Sequence, residues 1–290
     1  MLKIRKILFP VDFSETCQGA SRYVEDFTGR FQAEVTFLHV VNPSDYVVGA
    51  TDLAGTAMAE LYQLGLEGAR TRLAGYLSED FKHFDVQRIV LEGDPTQKII
   101  EFAKQDGSDL IMLPTHGLGF FRRFVLGSVT AKILHDADCP VWTGIHLHEA
   151  PPLEKISFRK ILCAVDLGPQ TAPTLQWAAG FAVEHDAELI ALHVVPGAET
   201  RPAKYLDRDL VNALANQAEE ELTAQVSALG IRARVVVDGG EPAKRAQALA
   251  ESEKVDLLVI ARGAVTEGVG RLRTHSYAII RSAPCPVVSI

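Results

Sequence analysis

The sequence contains the same series of motifs twice, and this internal repeat constrains the fold more than any other feature. The segment at residues 6–12 (KILFPVD) returns at residues 160–166 (KILCAVD). Four further pairs follow in the same order: LHVV at 38–41 and 192–195, GDP at 93–95 and GEP at 240–242, DLIML at 109–113 and DLLVI at 256–260, and CPV at 139–141 and 285–287. Five ordered matches indicate duplication of one structural unit. The chain therefore consists of two related domains.

The domain boundaries follow from the repeat and from the composition between its copies. A chain of 290 residues with 47% hydrophobic content is large enough for two cores. We predict a first domain over residues 1–145 and a second over residues 156–290. The segment 146–155 is polar and contains prolines, which is typical of a linker.

Within each half, apolar stretches alternate with helical patterns. In the first half we predict strands at 4–11, 33–41, 86–91, 109–114 and 140–145, and a helix over about 56–79. Ser14 and Asp94 are candidate helix caps, and Pro95 and Pro242 suit first helical turns. Strands separated by helices favour a parallel sheet with right-handed crossovers. Each half is therefore predicted to be an α/β domain with a doubly wound, five-stranded parallel sheet.

Such sheets bind ligands at the carboxyl ends of their strands, where the strand order reverses. Asp12, Val40 and the turn at 115–117 all lie at predicted strand ends, so we expect them to converge. The second glycine of the loop, Gly127, precedes Ser128 and a predicted helix. Glycine permits close approach of backbone N–H groups to an anion, and a helix N-terminus presents unpaired donors. This pattern predicts a phosphate-binding loop.

Taken together, these motifs resemble the universal stress protein (UspA-like) family in its tandem form, over nearly the whole chain. The family's nucleotide motif is G-x-x-G, nine residues, then G-[S/T], and its last three positions fall on Gly117, Gly127 and Ser128. The resemblance implies a Rossmann-like fold of the adenine nucleotide alpha hydrolase type, with ATP or ADP as ligand and Mg²⁺ on the phosphates. It implies a regulatory or signalling role in the stress response, pairing of the two domains through their terminal strands, and possible homodimers.

The resemblance also implies roles for individual residues. Asp12, with Pro10 and Val11 beside it, would face the adenosine, and the backbone of Val40 would meet the adenine edge. Donors to the phosphates would come from Gly117, Gly127, Ser128 and Val129. The loop positions Pro114, Thr115 and His116 complete the expected site, with His116 shaping the loop or contacting the ribose rather than acting as a base.

Two departures from the family pattern leave alternatives open. Pro114 stands where the motif begins with glycine, and proline fixes φ and lacks an N–H. If the loop needs a positive φ there, nucleotide binding is lost and a structural or small-ligand module remains; if only the carbonyl contacts the ribose, proline is tolerated. In the second half, Arg273-Thr274-His275 replaces Gly127-Ser128-Val129. We expect this copy to have lost ATP binding. It would then be structural or bind another ligand, for example an anion held by Arg262, Arg271 and Arg273.

Several functions are disfavoured by the sequence. A formal net charge of −8 argues against nucleic acid and anionic membranes as partners, and the N-terminus and the apolar runs fit a cytoplasmic protein. The aromatic and basic segment 120–124 is better explained as a flap or an inter-domain contact than as a stacking surface. The four cysteines show no metal spacing, so we predict buried thiols. His146 and His148 could both face one metal, but without further ligands we favour a solvated linker, and for His39 and His193 we predict a shared packing or hydrogen-bonding role. Without a Walker lysine or a triad we assign no catalytic residue, and slow ATP hydrolysis in the same pocket remains the enzymatic alternative.

Overall fold

The computed structural model describes residues 2–44, 55–115, 126–145, 147, 150–195, 208–262 and 274–290. Each half of the chain contributes five strands that alternate with helices. The first half contains β1 (Lys6–Pro10), α1 (Glu15–Phe31), β2 (Glu34–Val41), α2 (Gly55–Gly75), β3 (Val86–Glu92), α3 (Pro95–Asp106), β4 (Leu110–Pro114), α4 (Ser128–Asp136) and β5 (Val141–Gly144).

The second half repeats this order after a short 3₁₀ turn at Leu153–Lys155. It contains β6 (Lys160–Val165), α5 (Thr171–His185), β7 (Glu188–Val195), α6 (Arg208–Ala228), β8 (Arg234–Gly239), α7 (Pro242–Glu253), β9 (Leu257–Ile260), α8 (Thr274–Ser282) and β10 (Val287–Ser289). The α/β alternation and the five strands in each half confirm the predicted fold class.

The described chain divides into two compact units. One contains Lys3–Val141 and His146–Ile156, and its strands lie in the order β3-β2-β1-β4. The other contains Met1–Leu2, Trp142–Ile145 and Ser157–Ile290, with the order β5-β10-β9-β6-β7-β8. Most of β5 therefore clusters with the second half of the chain. In the first unit β1 pairs in parallel with β2 and β4, and in the second β6 pairs in parallel with β7 and β9.

Local sequence explains where the helices begin. The Ser14 side chain accepts the N–H of Cys17 at 3.1 Å and caps α1. Asp94 accepts the N–H of Gln97 at 2.9 Å, and Pro95 occupies the first turn of α3. Pro242 occupies the same place in α7, behind Glu241 as the cap. These caps confirm the predicted helix starts. None of the helices in the described part of the chain is both long and apolar enough for a bilayer crossing.

The segment after β5 lies against α1. Leu147 is 3% exposed and Ala150 is 9% exposed. Arg22 on α1 donates hydrogen bonds to the carbonyl oxygens of Ala150 and Pro151. The polar composition of residues 146–155 predicts a linker. Within it, the buried Leu147 and the hydrogen bonds from Arg22 hold the chain against α1. His146 and His148 lie outside the described residues.

Candidate functional site

The predicted site residues of the first half that the structure describes lie at one edge of the sheet. Pro10 ends β1, and the buried Val11 and half-buried Asp12 follow it. The Val11 N–H donates to the Leu38 carbonyl at 2.8 Å, so the chain stays beside β2 beyond the end of β1. Half-buried Val40 lies near the end of β2, and buried Thr115 follows β4. Because β2, β1 and β4 are neighbours and the chain order reverses between β1 and β4, this edge is the topological switch point. His116, Gly117 and the segment 120–124 lie outside the described residues.

Asp12 shapes the turn that leaves β1. Its Oδ1 accepts the N–H of Ser14 at 2.9 Å and the Ser14 hydroxyl at 2.6 Å. Between them Phe13 has φ 61°, a left-handed conformation that is uncommon for a bulky residue. Asp166 in the second half accepts the N–H of Gly168 at 2.9 Å across Leu167, which has φ 60°. Ser14 rather than Asp12 caps α1, so the carboxylate forms an Asx turn at the mouth of the site.

The two repeated histidines tie neighbouring strand ends together. His39 Nδ1 lies 2.7 Å from the Val11 carbonyl oxygen, and His193 Nδ1 lies 3.0 Å from the Val165 carbonyl oxygen. A carbonyl oxygen can only accept, so Nδ1 carries the hydrogen in both rings. In the neutral ring Nε2 is then an acceptor. The shared hydrogen-bonding role predicted for His39 and His193 is confirmed.

Phe13 packs against residues of β2, of α2 and of the turn after α2, and no sequence pattern predicts this cluster. The Phe13 ring lies 4.7 Å from the His39 ring and 5.2 Å from the Tyr76 ring, measured between centroids. The Arg72 guanidinium carbon lies 4.2 Å from the Phe13 centroid, within cation–π range. Burial and then the Asp12 charge raise the pKa of the Cys17 thiol to about 12. Burial also raises the pKa of Tyr76. The contact with Phe13 places the Arg72 cation near the site, and burial keeps the Cys17 thiol protonated.

The start of α4 is the phosphate-binding part of the predicted site. Gly127 is its N-cap, with φ −58° and ψ 146°, and no side chain within the described residues caps the helix. The Gly127 N–H donates to the Thr115 carbonyl at 2.8 Å, so this donor is used inside the protein and not directed at a phosphate as expected. Donors for an anion therefore have to come from the following first turn, where Ser128 is exposed and Val129 half-buried.

Pro114 retains the backbone contact of its position. Its carbonyl accepts the Thr130 hydroxyl at 3.0 Å, and in the second half the Ala261 carbonyl accepts the Ser276 hydroxyl at 3.0 Å. Neither Pro114 nor Ala261 has a positive φ. Proline fixes φ at a negative value, so the angle at Pro114 follows from its ring, and in the second half Ala261 also keeps this position out of the left-handed region. A carbonyl oxygen has a second lone pair, so it can also accept from a ligand.

The second half contains a cavity of about 230 Å³ at the equivalent strand ends. Its apolar wall includes Val165, Leu192, Ile260 and Ile279. Its polar lining consists of Asp166, His193, His275 and Ser276. Arg262 is 1% exposed. Arg271 and Arg273 lie outside the described residues, so the structure describes the polar lining and the apolar wall but not the predicted arginine cluster.

The fold defines a tandem α/β protein with a switch point repeated in each half, and comparisons with known proteins identify its family. The family model described as "Universal stress protein family" matches residues 3–143 and 157–290. The chain therefore belongs to the universal stress protein family.

Individual relatives agree with this assignment. A universal stress protein of Methanocaldococcus jannaschii is 29% identical over 151 residues, covering 47% of this chain and 92% of that protein. A second from the same organism is 30% identical over 141 residues, covering 47% and 79%. A solved universal stress protein of Archaeoglobus fulgidus has a TM-score of 0.69 and 23% identity, covering 99% of this chain and 96% of that one. At that identity, the solved structure supports the fold alone.

Proposed function

We propose that this chain binds an adenine nucleotide, ATP or ADP with Mg²⁺, at the switch point of its first half and acts as a regulatory protein of the stress response. The observation that carries the proposal is the first turn of α4, which follows the N-cap Gly127 beside Thr115 and which no side chain among the described residues caps. Backbone N–H groups without a side-chain partner, together with the helix dipole, favour a phosphate at this position.

The remaining parts of the edge suit the other parts of a nucleotide. The Asp12 carboxylate can accept from ribose hydroxyls or from a base amino group, because it is acceptor-only and keeps lone pairs beyond those used by Ser14. Val40 offers the backbone of a half-buried strand end to a planar ring. The Pro114 carbonyl remains able to accept a second hydrogen bond. Nothing in this set activates a water molecule, so the proposal is binding without rapid turnover.

The test is mass spectrometry of small molecules released from denatured purified protein, followed by equilibrium dialysis with ATP and Mg²⁺. We expect adenine nucleotide at appreciable occupancy, and at least a tenfold loss of affinity in Gly127→Arg, which introduces the residue that the repeat has at the matching sequence position, Arg273. Gly68→Arg is the matched control, since a Cβ at Gly68 meets nothing within 4 Å.

The outcomes separate three functions. An empty protein that also ignores added ATP would refute the proposal and leave a structural or small-ligand module. Equal losses in Gly127→Arg and Gly68→Arg would show that the added charge, not the helix start, matters. Magnesium-dependent ADP release in a single-turnover experiment would assign slow hydrolysis to the same pocket.

A further inference from the structure

The strand β8 lies at one end of the strand order in the unit that contains the second half. Among the strands of the described residues it pairs only with β7, in parallel. We propose that the other edge of β8 is an interface between two copies of this chain, in which the two β8 strands pair antiparallel across a two-fold axis at Val236. The proposal goes beyond the nucleotide binding assigned to the first half and does not depend on it.

The backbone of β8 directs hydrogen-bonding groups away from β7. The Gly240 N–H donates to the Val195 carbonyl at 3.1 Å. Because successive residues of a strand direct their N–H and C=O groups to opposite sides, Val235 and Val237 face away from β7. A strand edge of this kind is a template for pairing with another strand. The partner therefore has to supply an extended backbone with N–H and C=O groups of its own.

The side chains along β8 favour pairing, in contrast to the matching edge strand of the first half. The three valines at 235–237 are half-buried, and β-branched residues suit strands. When the halves are aligned on their GDP and GEP motifs, β3 has Arg88 at the place of the first valine. The Arg88 guanidinium lies 5.3 Å from the centroid of the Phe37 ring and donates to the Tyr76 carbonyl at 3.2 Å. An inward-pointing charge is one way in which proteins protect an edge strand, so β8 is the better pairing edge of the two.

Charge complementarity selects a second copy of the chain as the partner. When Val236 lies opposite its own counterpart, Arg234 of each copy lies opposite Asp238 of the other. All three side chains share one face of β8, because side chains alternate along a strand. Opposed charges of opposite sign and pairs of β-branched residues both stabilise antiparallel strands. The same construction on β3, centred at Ile89, brings no opposite charges together.

Both charged side chains of β8 have ionic partners within the chain and remain accessible. Arg234 donates from Nη2 to Glu253 at 2.7 Å, and an Asp238 carboxylate oxygen lies 3.7 Å from Nε of Arg245. The side chains of Arg234 and Asp238 are 44% and 45% exposed. Arginine has five N–H donors and a carboxylate has two oxygens, so each can make a further contact with the second copy. Because β8 has only six residues, the interface is small and we expect a weak, concentration-dependent dimer.

The test is sedimentation velocity of the full chain over a series of concentrations, without nucleotide. We expect an equilibrium between monomer and dimer. Val236→Lys places two like charges opposite each other at the two-fold axis and should weaken the dimer at least tenfold. Ile89→Lys is the matched control, since it makes the same change at the corresponding half-buried position of β3, and it should leave the equilibrium unchanged.

A pair of charge reversals tests the register of the two strands, and it decides the matter if Val236→Lys fails to fold. Arg234→Glu and Asp238→Lys each place like charges opposite each other, so neither protein should dimerise alone, although circular dichroism should show both to be folded. In an equal mixture the two reversed residues face each other, as do the two unchanged ones, so a mixed dimer should form.

Four results would each overturn the proposal. The chain stays monomeric at every concentration, the folded Val236→Lys variant dimerises as tightly as the original chain, Ile89→Lys weakens the dimer as much as Val236→Lys does, or the two charge-reversed proteins remain monomeric when mixed.

Discussion

The contact between α1 and the segment after β5 leads to a quantitative prediction about Gly19. A Cβ added at Gly19 would lie 2.6 Å from the carbonyl carbon and 3.1 Å from the Cβ of Leu147, and still closer to the carbonyl oxygen. Real Cβ atoms do not approach backbone this closely, so Gly19→Ala has to displace Leu147 or bend α1. Glycine at this position is required by close packing and not by its backbone angle.

The magnitude follows from two opposing effects. Alanine in place of a mid-helix glycine stabilises a helix by about 1 kcal/mol. Overpacking of a close contact costs about 1–3 kcal/mol. Gly68→Ala, in the middle of α2 with nothing within 4 Å of its Cβ, has the first effect without the second. Because the helix gain cancels in the comparison, Gly19→Ala should be less stable than Gly68→Ala by about 1–3 kcal/mol.

Native-state hydrogen exchange measures this difference where it arises. The free energy of opening for amides of α1 should fall in Gly19→Ala relative to Gly68→Ala, and amides of residues 150–156 should exchange faster, because this segment is held by Leu147 and Arg22. If Gly19→Ala instead stabilises α1 as much as Gly68→Ala stabilises α2, then Leu147 does not lie on Gly19, and the reasoning is refuted.

Three further predictions test other parts of the structure. Burial raises the pKa of Cys17 and Cys285 to about 12, so at pH 8 a thiol reagent should label half-buried Cys139 first and all four cysteines only after denaturation; rapid labelling of Cys17 contradicts this. Burial, opposed by a neighbouring arginine, raises the folded-state pKa of Asp26, and its Oδ2 has no hydrogen-bond partner among the described residues. The protein therefore loses stability as pH rises through that folded pKa and the carboxylate ionises. Asp26→Asn should raise the urea midpoint at pH 7, and the gain should vanish below about pH 3.8. A gain that is constant at all pH values would exclude titration of Asp26 as its cause. Thr130→Val removes a buried hydrogen bond from its hydroxyl to β4 and should cost about 1 kcal/mol in urea unfolding, and no loss would show that this bond does not hold the helix start.

Much of the fold is determined by local patterns that the sequence displays. Ser14 and Asp94 cap helices where their positions predict, because an N-cap needs only a side-chain oxygen two or three residues before a free N–H. The strand ends before Asp12 and at Val40 lie side by side because β1 and β2 pair in parallel, as the alternation of strands and helices predicts. These features depend on residues close in sequence or on topology alone.

The features that were missed depend on contacts distant in sequence. Arg72 at the end of α2 and Tyr76 just after it contact Phe13, and nothing in the local sequence of either segment indicates the other. The Gly127 N–H was expected to face a ligand, but the carbonyl of Thr115, on the other side of the loop, accepts it. Leu147 and Ala150 are buried within a segment whose composition is that of a linker. In each case a specific tertiary contact determines where the residue lies or which group it bonds to, and composition does not predict such contacts.

The two halves keep the same frame and differ where a ligand would lie. In both halves an aspartate forms a turn after the first strand, at Asp12 and Asp166. In both halves a histidine on the second strand, His39 or His193, donates to the carbonyl of the valine at the end of the first strand. In both halves a helix hydroxyl, of Thr130 or Ser276, donates to the carbonyl of the residue that precedes the loop. These bonds tie neighbouring strand ends and the following helix to one another in each half. The described differences lie around that frame, with Phe13 replaced by Leu167 in the turn and Val129 replaced by His275 at the helix start. A retained frame with altered residues around it explains how one fold can present two switch points that differ in their side chains.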